Sequence, residues 1–272
     1  MKNQIFSAIL FGIISLPLFS QTKDETIFLE KNKIELGTTP SESIIKIAKS
    51  FLETPYVAST LEINETEQLV CNLSELDCFT FDENVLALYL TKKKNSNSYA
   101  DFQEILTQLR YRNNKIDGYG SRLHYFTEWV RQAEKKGYIK DITLEIGGEI
   151  TSKEVHFMSV NQKMYPKITD EKTLETIIKN EKKINKKPLS QIEKSKVASV
   201  ESKIKEGDFI AMTSTLEGMD CNHVGIAILV NNRIHLLHAS SSLKKVVISE
   251  KPLAEYLEGI KKDVGIMVLR VL

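Results

Sequence analysis

The stretch HVGIAILVNNRIHLLHASS, His223 to Ser241, restricts the fold more than any other part of the chain. Two apolar runs flank Asn231-Asn232, a dipeptide that tolerates the positive φ of a tight hairpin turn, so the stretch reads as two antiparallel strands. With Val230 opposite Arg233, Gly225 falls opposite His238. His223, two residues before Gly225, then shares a sheet face with His238 as its diagonal neighbour, roughly 7–8 Å away at Cα. Gly225 between them leaves room for both rings, and His235 points to the other face. A one-residue slip would bring His235 to the face of His223 instead. Strand character continues on either side, in FIAMTS from Phe209, KVVI from Lys245 and GIMVLR from Gly265.

The first half of the chain has a helical period. Ser41 to Leu52 places Ile44, Ile45, Ile47, Ala48, Phe51 and Leu52 on a broad face, and Thr54-Pro55 ends the run because the residue before proline resists helical geometry. Further helices are expected from Cys78 to about Leu90, from Asp101 to Leu109 and, after Gly118-Tyr119-Gly120, from Ser121 to Lys136. There is no internal repeat. Helices come first and an antiparallel sheet follows, which is an α+β arrangement. Between Asp170 and Lys205 the chain is polar and rich in lysine, including Lys179, Lys182, Lys183 and Lys186. Attraction to an anionic wall polymer is one reading of this run; a solvated helix and loop surface is the commoner meaning and is preferred.

The start of the chain points outside the cytoplasm. Lys2 precedes an almost wholly apolar run from Ile5 to Phe19, broken by Pro17, and the chain turns polar at Gln21. This is the shape of a secretory signal over residues 1–20, too short to span a bilayer comfortably. No cysteine follows the run, which argues against a lipid anchor, so no stable membrane insertion is expected after cleavage. The 37 basic residues nearly balance the 36 acidic ones, and nothing demands a nucleic-acid partner. Cys71, Cys78 and Cys221 are an odd number for an oxidising compartment, so one thiol is left over even if two pair.

Catalysis is one use for that thiol. At the start of its helix, Cys78 carries Phe81, Val85 and Leu88 on its side, so the sulfur sits at the core boundary. Unpaired amides and the helix dipole there favour an anion, lowering a thiol's pKa and offering donors to an oxyanion. Asp77 is a natural N-cap. Asp82 and Glu83, in the first turns, oppose a thiolate unless they point away. A lone cysteine is most often just a small buried residue. The histidines shift that balance: His223 can take the thiol proton while His238 holds its other ring nitrogen. Ordinary surface histidines are the bland reading, and a zinc site using Cys221 or Asp220 is a rival, although C-x-H alone is a weak zinc signal.

These residues carry a resemblance. LDCFTF at Leu76 and the histidine hairpin resemble the NlpC-type hydrolases, papain-like cysteine enzymes that cut bacterial cell-wall peptides. FLETPYVASTLE, LDCFTFDENVLAL, YRNNKIDGYGSRLHYFTEW, EGDFIAM and GIMVLR, which together span Phe51 to Arg270, resemble more narrowly a branch described as N-acetylmuramoyl-L-alanine amidase-like. The resemblance implies a circularly permuted papain-like fold, with the cysteine helix packed on the antiparallel sheet. It implies Cys78, His223 and His238 as the catalytic set, and Tyr56 and Asp77 as cleft residues. In many relatives those two read a free alanine amine, which suits an endopeptidase cutting after D-glutamate. The branch points instead to the bond between the muramic lactyl group and L-alanine. Arg122 and His124 in SRLHY are further candidates: Arg122 could grip a peptide carboxylate, or could tie its helix to the domain. His156 is read as a surface residue, and Cys71 could pair with Cys221.

The expectation is therefore an exported peptidoglycan amide hydrolase, periplasmic or extracellular, needing no metal or cofactor. Residues 21–272 would form one catalytic domain, with a helical insertion around 92–136 and a lysine-rich insertion around 170–205. A protein that binds muropeptides without cutting them is the non-enzymatic alternative; it would have no use for a cysteine and two histidines on one face.

Overall fold

The computed structural model describes residues 22–272, and the leader expected over residues 1–20 lies outside them. Five helices come first: α1 Lys23–Lys31, α2 Pro40–Lys49, α3 Cys78–Lys93, α4 Tyr99–Arg110 and α5 Phe126–Lys135. Then β1 Ile139–Asp141, α6 Thr143–Ile146, β2 Glu149–Thr151, α7 Phe157–Val160, α8 Glu171–Ile184, β3 Leu189–Glu193 and α9 Val197–Val200 alternate. The chain closes with β4 Phe209–Ser214, β5 Cys221–Val230, β6 Arg233–Ser240, β7 Lys245–Ile248, α10 Leu253–Glu258 and β8 Asp263–Val271. The architecture is α+β. The sheet is antiparallel in the order β2-β3-β8-β4-β5-β6-β7, with β1 also paired to β8. Among the described residues no helix is long and apolar enough to cross a membrane.

Both faces of the sheet are covered, so β4 is buried along its whole length rather than alternating. One face (Phe209, Ala211, Val224, Ile226, Leu237, Met267) packs against α1 to α5. The opposite face (Ile210, Met212, Leu236, Ile266) is covered by Ile142, Val200, Leu253 and Leu257. α3 lies on β5 and β6, flanked by α2 and α4. It is enclosed on all sides, and every residue from Thr80 to Thr91 is buried. Phe81, Val85 and Leu88 are fully buried, each contributing about 1.5–3 kcal/mol. Glu83, also enclosed, is held by Arg110 from α4, with Nε and Nη2 donating to Oε2 at 2.8 and 2.6 Å. A buried charge keeps its place only when paired in this way.

The hairpin adopts the expected register: Val230 faces Arg233 and Ile228 faces His235. Asn231 and Asn232 both take positive φ at the turn. His235 points away from His223, and its Nδ1–H donates to the Ser249 carbonyl at 2.8 Å. Three expectations need correction. The helix read from Ser121 begins at Phe126, because Arg122 bridges Tyr111 in an extended segment. The lysine-rich run is not only helix and loop surface: Leu189–Glu193 is a strand paired to β2 and β8, with Leu189 and Ile192 buried. The three cysteines are free; Cys71 lies against Tyr99 and Gln103, while Cys221 lies beside Cys78.

A Cβ on Gly225 would sit 2.8 Å from Cβ of His238 and 2.9 Å from the Leu237 carbonyl oxygen. Gly225→Ala is therefore expected to force β5 from β6 and to destabilise the protein by about 1–3 kcal/mol, read from urea unfolding. A midpoint equal to that of the parent would show that the two strands are not closely apposed at this point.

Candidate active site

Cys78 is the first residue of α3, and Asp77 is its N-cap. Asp77 Oδ1 accepts the Thr80 N–H at 2.8 Å, and Thr80 Oγ1 accepts the Asp77 N–H at 2.9 Å. This reciprocal box fixes the helix start. The start opens into a cleft of about 730 Å³ that is also lined by His223, Asp220, Cys221, Arg122 and His124. One wall is apolar and aromatic, formed by Phe79, Phe126, Phe157, Met164, Tyr165 and Met219.

The net electrostatics at the sulfur oppose the depression expected from the helix dipole. Burial, then the Asp77 charge, push the Cys78 thiol up to about 12, and the Val224 and Phe79 amides offset this only in part. Asp82, one turn further on, is fully buried, and neither carboxylate oxygen has a hydrogen-bond partner. Burial drives its pKa well above the ordinary carboxylate range. Where it ionises, its charge adds to the rise at the Cys78 thiol, behind burial and Asp77.

β5 and β6 bring the two histidines together. His223 Nε2 and His238 Nδ1 are 2.7 Å apart, with the rings edge to face at 4.8 Å between centroids. Burial holds His223 down at about 4; burial and then the neighbouring His223 hold His238 down at about 3. Both are neutral at pH 7, so a single proton lies between the two nitrogens. If His223 Nε2–H donates it, His223 Nδ1 is left as an acceptor nitrogen, and His223 itself lines the cleft. Tyr256 of α10 packs edge-on against His238 from behind, with centroids 5.5 Å apart. Among the described residues no group of three or more His, Cys, Asp or Glu side chains is arranged to hold a metal ion.

The other candidates are distributed around this centre. Tyr56 bridges Leu76 just before α3, and burial, then the charges on Cys78 and Asp77, raise its hydroxyl pKa. Arg122 lines the cleft, but its guanidinium is engaged: Nη2 donates to Glu62 at 2.7 Å, Nε lies 3.4 Å from Glu67, and its carbon lies 4.9 Å from the Tyr119 ring centroid. His124 donates from Nε2 to the Tyr119 carbonyl at 2.8 Å, and burial, then Arg122, hold it well below the ordinary imidazole range. Sequence reasoning missed Tyr256 as the backing of His238, and it missed the structural part of Asp220. The Asp220 carboxylate accepts Thr127 N–H at 2.7 Å and Cys221 N–H at 2.8 Å, capping α5 from a distant loop. Only the acidic residue next to the start of β5 hinted at it.

A thiol lifted to about 12 beside imidazoles held near 4 and 3 is a neutral pair, not a thiolate–imidazolium pair. The sign follows: the thiolate fraction is small at pH 7 and grows as pH rises. In the free protein, alkylation of Cys78 by iodoacetamide, followed on its own peptide by mass spectrometry, should still be accelerating at pH 9. A plateau extending from pH 5 to 9 would contradict these electrostatics.

The chain matches the AmiA-like family, described as N-acetylmuramoyl-L-alanine amidase-like, over residues 46–266. It is similar to the structure of an N-acetylmuramoyl-L-alanine amidase from Bacteroides uniformis, at 36% identity and TM-score 0.80, covering 86% of this chain and 99% of that one. It is also similar to a Bacteroides fragilis protein named as a candidate xylanase, at 37% identity and TM-score 0.76, covering 82% and 98%. A Legionella pneumophila protein at 24% identity shares the fold, with TM-score 0.70 and coverage of 92% and 93%. No curated protein sequence matches. With the family match running over most of its length, the chain belongs to the N-acetylmuramoyl-L-alanine amidase-like family.

Proposed function

We propose that the protein is an exported, cysteine-dependent peptidoglycan amidase that hydrolyses the bond between the muramic lactyl group and L-alanine. The observation that carries this reading is the 2.7 Å contact between His223 Nε2 and His238 Nδ1, on the strand pair that packs against the helix starting at Cys78. Such a contact has a clear chemical use when His223 Nδ1 receives a proton: the imidazolium keeps donating from Nε2 to a neutral His238. The similarity to an amidase from Bacteroides uniformis supports the substrate class. The wider resemblance supports an NlpC-type, circularly permuted papain-like fold, acting as one catalytic domain after loss of residues 1–20, in the periplasm or outside the cell. No cofactor is called for.

In this mechanism Cys78 Sγ attacks the lactyl carbonyl carbon while its proton passes to His223 Nδ1. Because the thiol is not ionised beforehand, transfer and attack proceed together. Amides at the start of α3 receive the oxyanion. Collapse breaks the C–N bond, and His223 returns the proton to the alanine nitrogen. Water, deprotonated by His223, then cleaves the thioester, releasing the lactyl carboxylic acid and restoring the thiol. Asp77, Arg122 and His124 line the cleft that would hold the stem peptide, and Tyr56 stands close to Cys78 and Asp77. The apolar wall suits the sugar face of a muropeptide. A glycosidase would need two free carboxylates across a sugar ring. Here Asp77 is a helix cap, Glu62 is paired with Arg122 and Asp220 is bonded to two amides.

Cys78→Ala should abolish hydrolysis without unfolding the protein, whereas Cys71→Ser and Cys221→Ser should retain activity. His223→Ala should be as damaging as loss of the thiol, since members of one catalytic unit do not act additively. His238→Ala should cost less, about 10²-fold in kcat/KM. Wild-type turnover by the Cys78 variant would remove the nucleophile assignment.

The choice of bond rests on Asp77. Its Oδ1 is committed to Thr80, which suits a cap better than a reader of a free amine. Asp77→Asn keeps the cap and removes the charge, so it should change kcat/KM little. N-acetylmuramyl-tripeptide should be cleaved to intact tripeptide and peptide-free sugar. Rapid cleavage of free tripeptide, with the muramyl form untouched, would instead identify an endopeptidase acting after D-glutamate.

A further inference from the structure

A second concavity of about 940 Å³ lies between the C-terminal half of α5 and α8. One wall carries Arg131 and Lys135, and the other carries Lys179, Lys182, Lys183 and Lys186. Two acids also line it; Glu128 is paired with Arg112, leaving Glu175 alone against six basic residues. The chain as a whole carries a formal net charge of only +1, so this is a local concentration of charge and not a reflection of a basic protein.

The groove is braced. Arg131 Nη1 donates to the Ile184 carbonyl at 2.6 Å and Nη2 to the Lys187 carbonyl at 2.6 Å, tying the end of α8 to α5. With that guanidinium occupied, the free donors are ammonium groups. The five lysines are exposed, and among the described residues they form no ion pairs; the paired lysines are Lys140, Lys196 and Lys245. Positions 179, 182, 183 and 186 form one stripe along α8 and just past its end, about 10 Å long at 1.5 Å per residue. Like charges at these spacings repel one another, and a bound anion relieves that repulsion. Among the described lining residues there is no aromatic ring, and the only apolar side chains are Ile178 and Ile184. Stacking of bases or sugars is therefore not offered here, nor is a set of side chains that would enter a bilayer.

We propose that this groove binds a linear phosphate-bearing polyanion through its charge spacing. Ammonium groups act as point charges and suit phosphates, which need no bidentate fork. α5 links the two sites: Phe126 lines the cleft and Lys135 the groove, at opposite ends of a helix of 10 residues, about 15 Å long. A polymer held in the groove would keep the cleft next to envelope material while leaving cleavage of small soluble muropeptides unchanged.

The test uses the protein lacking residues 1–20 and sodium polyphosphate, with binding measured by isothermal titration at low and at high sodium chloride. The unsubstituted protein should bind, and more weakly at high salt. Lys179→Gln/Lys182→Gln/Lys183→Gln should bind about tenfold or more weakly, with an unchanged circular dichroism spectrum and unchanged hydrolysis of N-acetylmuramyl-tripeptide. Lys33→Gln/Lys46→Gln/Lys49→Gln, which removes the same charge elsewhere, should bind as the unsubstituted protein does. Equal weakening by both triple variants would overturn the groove. No binding to polyphosphate would overturn the proposal outright. Equal or tighter binding of polyglutamate of the same length, or capture only by vesicles containing phosphatidylglycerol, would overturn the phosphate-polymer assignment.

Discussion

The enclosure of α3 is the constraint on which the rest of the molecule depends. A helix whose residues from Thr80 to Thr91 are all buried meets the cleft only at its end, where Cys78 is the first residue. The same enclosure requires the Glu83–Arg110 pair, because an unpaired charge at that depth would not be tolerated. It also fixes which strands lie beneath the sulfur. β5 and β6 carry His223 and His238, and Gly225 lets the strands approach closely enough for the rings to touch.

Enclosure has an electrostatic consequence as well. Burial lifts the thiol and lowers both imidazoles, so these three groups rest uncharged. For the cysteine mechanism proposed above, this moves the demand onto the substrate-bound state, where proton transfer and attack would coincide.

Much of this was legible in the amino-acid sequence, and the reasons differ from feature to feature. Asn231-Asn232 and the position of Gly225 define the hairpin register locally, so the meeting of His223 and His238 could be read from strand pairing alone. Asp77 and Thr80 are three residues apart, and capping is likewise local. What escaped depends on distant partners. α5 starts at Phe126 because a carboxylate from residue 220 caps it, and Arg122 is occupied by Glu62 and Glu67 from another loop. β3 sits in a lysine-rich run whose composition hides the two apolar positions, Leu189 and Ile192, that enter the sheet. The thiol pKa was misread because the dipole of one helix is visible in sequence, whereas the burial that outweighs it is not.

The most direct test of the central claim is a titration of turnover against blockage of one atom. Aliquots of the protein alkylated to increasing extents, with the modified fraction of Cys78 measured by mass spectrometry of its peptide, would be assayed on N-acetylmuramyl-tripeptide. Activity should fall in proportion to that fraction and reach zero when Cys78 is fully modified. Turnover that persists with Cys78 completely blocked would contradict the claim.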